Sequence, residues 1–421
     1  MFICISCVNP EPLKKYIKNK NKKTNCAYCN AFDFSVKTIQ LYNCLEQRFK
    51  GLLVEENFLS PYERGMISEC GSDIPVVKEL WEWIGDFNIA MPNITEEFYH
   101  WINDRWHNKE NQLYALDDGT LEDNEYENKW DRFTEKLFHS QRFFNQDVEL
   151  FLDSLFKYLN IKPNEQNKLI KVIEPEVQIY RARVANSNDS IQKIESEPHT
   201  ELGPAPGTKA RNQRMTPTGI SAIYCCFERE TCLSEIRAIT GDIVVSGAFS
   251  PLKALRLLDL NKFRELDDGN PHPLTFEFSK KKHIFQFLKQ LITKLSIPKR
   301  AGEELSYLPT QVLFEYFEKK YGDLVDGLTY PSIQTGLTGQ NLVLFPLKSK
   351  TAKENYILNH DENINNPFID LINYDALPPT LKFIKDSLIF HKITAIKTES
   401  EDSEDPFIFM ADPLTRKRLS I

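Results

Sequence analysis

Apolar residues recur at helical spacing through the first part of the chain. Trp130, Phe133 and Leu137 stand at i, i+3 and i+7, and Val148, Phe151, Leu152, Leu155, Phe156 and Leu159 continue the same period. Such positions share one helix face and predict a bundle core. The run 76–84, Val-Val-Lys-Glu-Leu-Trp-Glu-Trp-Ile, predicts another buried helix, and the acidic stretch 116–127 predicts a polar loop joining two helices. The pattern changes near Lys162 and Pro163. From there, short β-type runs at 177–184, 243–249, 255–260 and 341–345 are interrupted by helical stretches at about 283–297 and 305–320. Strands interrupted by helices predict an α+β module rather than a sandwich. The final part is less patterned, with an exposed acidic loop expected at 399–405 between two extended pieces, and no internal repeat is visible. The expected division is therefore a cysteine-knuckle segment at 1–35, a helical domain at 36–162 and a mixed-sheet domain with a C-terminal extension at 163–421.

Composition agrees with this division. A chain of 421 residues with 41% hydrophobic positions and 28 Phe has enough apolar surface for two or three cores. No apolar run reaches the roughly eighteen residues of a membrane span, and the opening MFICISC lacks the basic region and long apolar stretch of a secretory signal. The expectation is a cytoplasmic protein without a membrane partner. The formal charge of −8 argues against coating of a nucleic-acid duplex.

Four of the nine cysteines form two Cys-x-x-Cys knuckles, Cys4 with Cys7 and Cys26 with Cys29, with eighteen residues between the pairs. Two knuckles close a four-thiolate tetrahedron suited to structural zinc, with no open position for chemistry. The lysines between them (Lys14, Lys15, Lys18, Lys20, Lys22 and Lys23) read as a solvated helix face. Cys225 and Cys226, adjacent on a strand with no histidine placed beside them, read as buried small hydrophobes.

Candidate chemistry gathers at three junctions. A strand ends near Arg181, a carboxylate-bearing helix through Glu235 follows the strand that holds Tyr224, and a Tyr-Pro-Ser turn ends at Ser332. Alternation on the first strand puts Arg181 and Arg183 on one face and Tyr180 on the other. A guanidinium there suits a diphosphate or a carboxylate, or else closes a salt bridge. A serine hydrolase is rejected, because there is no Gly-x-Ser-x-Gly and no histidine stands out as its base. The Gly/Pro-rich loop 202–210 lacks the order of a phosphate-binding P-loop.

These blocks resemble the RES domain, named for its arginine, glutamate and serine and found as the toxin of bacterial toxin–antitoxin pairs. The matching pieces are Ile-Tyr-Arg at 179–181, 214–224, the helix through Leu-Ser-Glu-Ile-Arg, Tyr-Leu-Pro-Thr-Gln at 307–311, and Asp-Gly-Leu-Thr-Tyr-Pro-Ser followed by Asn-Leu-Val-Leu-Phe. The resemblance implies an ADP-ribosyltransferase-like mixed sheet that takes NAD as substrate and cleaves its nicotinamide–ribose bond, by hydrolysis or phosphorolysis or by transfer of ADP-ribose to a protein. It puts Arg181, Glu235 and Ser332 in the catalytic set, and Arg181, Tyr180, Tyr224 and Ser332 around NAD. It also implies control by an antitoxin or regulatory protein, or by the N-terminal region in cis, and it allows a homo-oligomer. The leader resembles the cysteine-knuckle and HEPN-like segment of larger RES proteins, with Arg132 and His139 at the longest spacer of that ribonuclease motif and Phe133 in place of its usual polar residue. Those departures leave the leader as a regulatory or oligomerising region. A reading of another class keeps the RES module inactive and makes the N-terminus a nucleic-acid or protein-binding device.

Overall fold

A computed structural model describes residues 1–69, 75–106, 112–122, 125–139, 145–159, 161, 167–267, 269–296, 304–357 and 377–396. The chain forms two compact units, Met1–Lys129 with Leu266–Phe287, and Trp130–Glu265 with Leu288–Ile421. The units join along the chain at 129–130, 265–266 and 287–288. Among the described residues no helix is long and apolar enough to cross a membrane.

The first unit opens with β1 (Phe2–Cys4), α1 (Glu11–Asn19), β2 (Lys23–Asn25) and β3 (Phe32–Lys37), whose strands form an antiparallel sheet in the order β1-β3-β2. Pro12 sits in the first turn of α1, where its missing N–H costs nothing. Leu13 and Ile17 face inward while Lys15, Lys18 and Lys20 are exposed, so the helix presents a solvated cationic face. There follow α2 (Thr38–Lys50), β4 (Leu53–Glu55), α3 (Pro61–Glu69), β5 (Val77–Glu79), α4 (Leu80–Asp86), α5 (Pro92–Trp106) and β6 (Leu113–Leu116). Phe49, Phe87 and Phe98 centre this core, with Phe49 5.5 Å from Phe87 and 5.7 Å from Phe98 between ring centroids.

Two expectations are corrected in this unit. The run 76–84 is not one helix: its β-branched start pairs as a strand, Val77 against Ala115, and the helix begins only at Leu80. Glu79 makes the switch, its backbone N–H donating to the Glu82 carboxylate at 3.0 Å in a capping box. The acidic loop after Leu116 leaves a strand rather than a helix, because Leu113–Leu116 is the central strand of the sheet β4-β6-β5.

In the second unit, α6 (Glu125–His139, entered from the first unit) and α7 (Gln146–Phe156) carry the aromatic stripe. Trp130, Phe133, Leu137, Val148, Leu152, Leu155 and Phe156 are buried, as the period requires, and Phe133 lies 5.6 Å from Phe151. Arg132 and His139 both stand on α6 and are exposed. The chain continues through β7 (Ile170–Ile173), β8 (Ile179–Val184), α8 (Asn188–Ser196), α9 (Pro198–Glu201), β9 (Tyr224–Cys226), α10 (Arg229–Glu235), β10 (Ile243–Pro251), β11 (Leu255–Asp259), α11 (Phe278–Ser296), α12 (Leu308–Tyr321), β12 (Gly327–Pro331), β13 (Gln340–Leu344), β14 (Thr351–Ala352), β15 (Leu381–Phe383) and β16 (Ile389–Lys392).

The strands form a mixed sheet in the order β14-β15-β10-β8-β9-β13-β12-β11-β7, with β16 also on β10. β11 and β12 run parallel, as do β14 and β15; the other pairs are antiparallel. All four expected strands and both expected helices are present, with α11 starting five positions early at Phe278. Leu274 and Phe278 are buried with the first unit's core, which draws that helical end into it. The 399–405 loop and the change of pattern at Lys162 and Pro163 lie outside the described residues.

Candidate active site

The sheet of the second unit parts at one place. β8 pairs with β10 along its length but with β9 only at Tyr180 opposite Cys226. Arg181 follows that pair on β8, and Tyr224 stands beyond it on β9, which is held from its other side by β13 through Tyr224 opposite Val343. Arg181 is the second feature of this place. Its Nη1 is buried and has no hydrogen-bond partner among the described residues. Desolvation lowers its pKa, and the nearby Cys225, Cys232 and Tyr224 oppose that shift. A buried guanidinium N–H left unpaired costs about 1–3 kcal/mol or more unless something outside the chain completes it.

Glu235 ends α10, and its Oε1 accepts two hydrogen bonds, from Ser332 Oγ at 2.6 Å and from Asn341 Nδ2 at 2.7 Å. Strand register explains why residues so far apart meet. β12 and β13 pair with Tyr330 opposite Asn341 and Pro331 opposite Gln340, so Ser332, just past β12, lies beside the start of β13. The loop between them can close on α10 because Gly339 has no side chain: a Cβ there would lie 2.1 Å from Thr231 Oγ1. The other end of α10 is tied to the same strand, since Glu228 Oε2 accepts from Thr231 Oγ1 at 2.9 Å and from the Gln340 N–H at 3.1 Å. The Asn341 amide is oriented by the Cys226 thiol, which donates to its Oδ1 at 3.1 Å. Ser332 and Asn341 are buried while Glu235 is half-buried, and Oε2 of Glu235 accepts no hydrogen bond among the described residues.

Residues 179–365 match the RES domain. The family model thus covers Arg181, Tyr224, Glu235, Ser332 and Asn341 together, and strands β8 to β14 of the mixed sheet lie inside the match. No curated protein and no solved structure matches the chain.

Two tyrosines of the matched region, Tyr224 and Tyr330, lie near this centre. The Tyr224 hydroxyl is held by the Met215 N–H at 3.2 Å and by Thr216 Oγ1 at 3.0 Å, and burial pushes its pKa up to about 12. Tyr224 therefore offers its ring rather than a free hydroxyl. Tyr330 is buried, and burial raises its phenol well above the usual range; Arg214 opposes this, while Tyr224, Glu235 and Cys226 add to it. The Arg214 guanidinium lies 5.7 Å from the Tyr330 ring centroid. Gln311 fixes the loop that carries Arg214, donating from Nε2 to Asn212 Oδ1 and to the Gln213 carbonyl, each at 2.8 Å.

Of the residues singled out from sequence, the fold brings Glu235 and Ser332 into direct contact and places Tyr224 near Arg181. Arg181 makes no hydrogen bond or ion pair with Glu235 or Ser332 among the described residues. Tyr180 packs with Ala182, Cys226 and Cys232, its hydroxyl donates to Gln178 Oε1 at 3.2 Å, and the Arg229 guanidinium sits 4.7 Å from its ring centroid. Arg183 closes an exposed salt bridge with Glu201 at 2.6 Å. Sequence reasoning did not single out Asn341, Tyr330, Arg214 or Gln311, although all four lie inside the blocks that carry the resemblance or at their edges. Cys225 and Cys226 are buried, and burial pushes the Cys225 thiol up to about 12, which keeps it from acting as a nucleophile.

The knuckle cysteines form a separate centre in the first unit. The sulfurs of Cys4, Cys7, Cys26 and Cys29 all lie within 4.8 Å of one another. Sγ–Sγ distances are 3.6 Å for Cys4–Cys7, 3.5 Å for Cys4–Cys29 and 3.6 Å for Cys7–Cys26. Four thiolates about 2.3 Å from one ion stand roughly 3.8 Å apart, so the tetrahedron is close to preformed. The backbone N–H groups of Cys4 and Tyr28 both point at Cys26 Sγ at 3.4 Å, which suits a sulfur carrying negative charge. Desolvation works to raise the Cys26 pKa, but backbone donors at Tyr28, Cys29 and Cys4 outweigh it and hold the thiol at about 7. These cysteines could hold a metal ion.

Proposed function

We propose that the RES domain of this protein binds NAD at the parting of its sheet, in an ADP-ribosyltransferase-like manner, and cleaves the nicotinamide–ribose bond. One observation carries the reading: the Glu235 carboxylate is fixed through one oxygen by Ser332 and Asn341, and its other oxygen is left without a partner among the described residues. When the ribose C1′–N bond breaks, its electron pair leaves with neutral nicotinamide and the ribose becomes an oxocarbenium-like cation. A fixed carboxylate stabilises that charge and can take a proton from a ribose hydroxyl or from the attacking water. Because Ser332 and Asn341 bond to Oε1, they aim Oε2 without consuming it. Arg181 supplies the complementary end. Its half-buried guanidinium would donate to a diphosphate oxygen, with Nη1, closed off from solvent here, brought into reach by a shift of the side chain. The rings of Tyr224 and Tyr330 would wall the nicotinamide side and exclude water from the leaving group.

No side-chain nucleophile is needed, since water or phosphate can trap the cation, giving ADP-ribose or its 1-phosphate. In the first unit, zinc on Cys4, Cys7, Cys26 and Cys29 would act as a structural ion, because four thiolates leave it no open position. The test for the RES site is Glu235→Gln, which keeps a hydrogen-bonding group of the same size and removes the charge. Nicotinamide release should fall by about 10²-fold or more, in line with loss of a preorganised charge stabiliser. Retained release would remove Glu235 from the mechanism.

A further inference from the structure

A second cleft, of about 900 Å³, lies wholly within the first unit and plays no part in the site above. It is framed by α1, by α2 and by the segment 272–280. Its size is that of a small-molecule site. The charge in it is one-sided. Lys15, Arg48 and Lys280 share the lining with Glu11 and Glu277, and both carboxylates are already taken, Glu11 by Lys14 at 3.5 Å and Glu277 by Lys280 at 3.4 Å. Lys15 and Arg48 form no salt bridge among the described residues, so two positive charges stand uncompensated in a chain whose net charge is −8. Arg48 is also fixed. One of its Nη groups donates to the Leu274 carbonyl and the guanidinium also hydrogen-bonds the Cys44 sulfur, which still leaves N–H groups of the fork to donate elsewhere.

The cleft pairs that charge with aromatic surface. Tyr16 lines it with its hydroxyl turned to the Gln40 carbonyl at 3.3 Å, its ring packed in part against the core and with Lys20 Nζ 5.1 Å from its centroid. Phe276 is 76% exposed while Phe278, two residues on, is only 6% exposed. Between them Glu277 is held in the left-handed region at φ 56°, a strained conformation for a non-glycine residue. Holding one phenylalanine out at the rim at the cost of backbone strain is the kind of feature that marks ligand sites. His272, also in the lining, accepts the Leu274 N–H on Nδ1 at 3.1 Å, and desolvation lowers its pKa, so it adds no charge. An arginine fork and a lysine beside an exposed ring match a phosphate attached to a planar base.

We infer that this cleft binds a nucleotide, its phosphate on Lys15 and Arg48 and its base against Phe276. Nucleotide chemistry has two sources, a free mononucleotide or the end of a single strand, and the same experiment separates them. Calorimetric titration would use the full chain carrying Arg181→Ala, which removes the arginine of the first site, with AMP in one arm and a single-stranded pentanucleotide in the other. The inference predicts saturable binding in that background, weakened at least tenfold by Lys15→Glu or by Arg48→Met and at least threefold by Phe276→Ala. Lys15 and Phe276 are exposed, so their replacement spares the fold even if Arg48→Met does not. Equal affinity for AMP and the pentanucleotide assigns a free nucleotide, and tighter binding of the pentanucleotide assigns a strand end. No binding in either arm, or binding indifferent to Lys15→Glu and Phe276→Ala, overturns the inference whatever the RES domain does with NAD.

Discussion

Replacing Ser332 by alanine isolates one contact of the proposed active site. Ser332 is fully buried and its Oγ donates to Glu235 Oε1 at 2.6 Å, a short bond to a charged acceptor. Hydrogen bonds to charged groups contribute about 1.5–3 kcal/mol. If that contribution is made in the transition state, where the carboxylate must hold still against a developing cation, kcat falls about 10- to 150-fold, at about 1.4 kcal/mol per tenfold. The loss should not be total, because the Asn341 Nδ2 bond at 2.7 Å keeps hold of the same oxygen. The assay is the initial rate of nicotinamide release over a range of NAD concentrations, with the circular dichroism spectrum as the folding control. Asn341→Ala should give a loss of similar size. Since both donors serve one oxygen, the double variant should depart from the sum of the single losses by more than about 0.5 kcal/mol. A Ser332→Ala protein that folds and keeps kcat/KM within twofold of the unmodified protein would refute this use of the contact.

Other perturbations read other parts of the account. The purified protein should contain one zinc per chain by elemental analysis, and Cys7→Ser should lower that content and the melting temperature together, because the ion's binding energy is also folding energy. Gln311→Ala removes two hydrogen bonds at 2.8 Å from a buried amide and should cost about 1–3 kcal/mol of stability in denaturant titration, with a raised KM as the Arg214 loop loosens. Gly327→Ala should destabilise the RES domain by about 1–3 kcal/mol or more and reduce activity with it, because the added Cβ would lie 2.2 Å from the Val343 carbonyl oxygen and push apart the strands that bring Ser332 to Asn341.

Local signals account for much of what the sequence made legible. The strands of the RES domain announced themselves through short β-branched runs, and the two knuckles through their spacing, since both depend on neighbours in the chain. Glu235 and Ser332 were legible only as separate residues joined by a family resemblance; nothing in periodicity could place one against the other. Their contact depends on the β12–β13 register and on Gly339 clearing a path to Thr231, both long-range conditions. Asn341 was hidden for the same reason: an asparagine opening an apolar strand looks like a turn former until its partner strand is known. Val77 illustrates the opposite failure. Its apolar neighbours fit a helical period, but pairing with Ala115, some forty residues away by sequence, turned the first third of that run into a strand. The segment 266–287 could not be assigned to the first unit from composition, because its membership rests on Leu274 and Phe278 reaching a core built from residues 3–114.

The central claim is that this RES domain cleaves NAD at the nicotinamide–ribose bond. Its most direct test is a time course of NAD with the purified protein, with and without phosphate, in which nicotinamide and the ADP-ribosyl product are quantified by mass spectrometry. The account predicts nicotinamide released in step with NAD loss, with ADP-ribose or its 1-phosphate as the second product and with the rate lowered about 10²-fold or more in Glu235→Gln. NAD left intact by the folded, zinc-loaded protein under both conditions would contradict it.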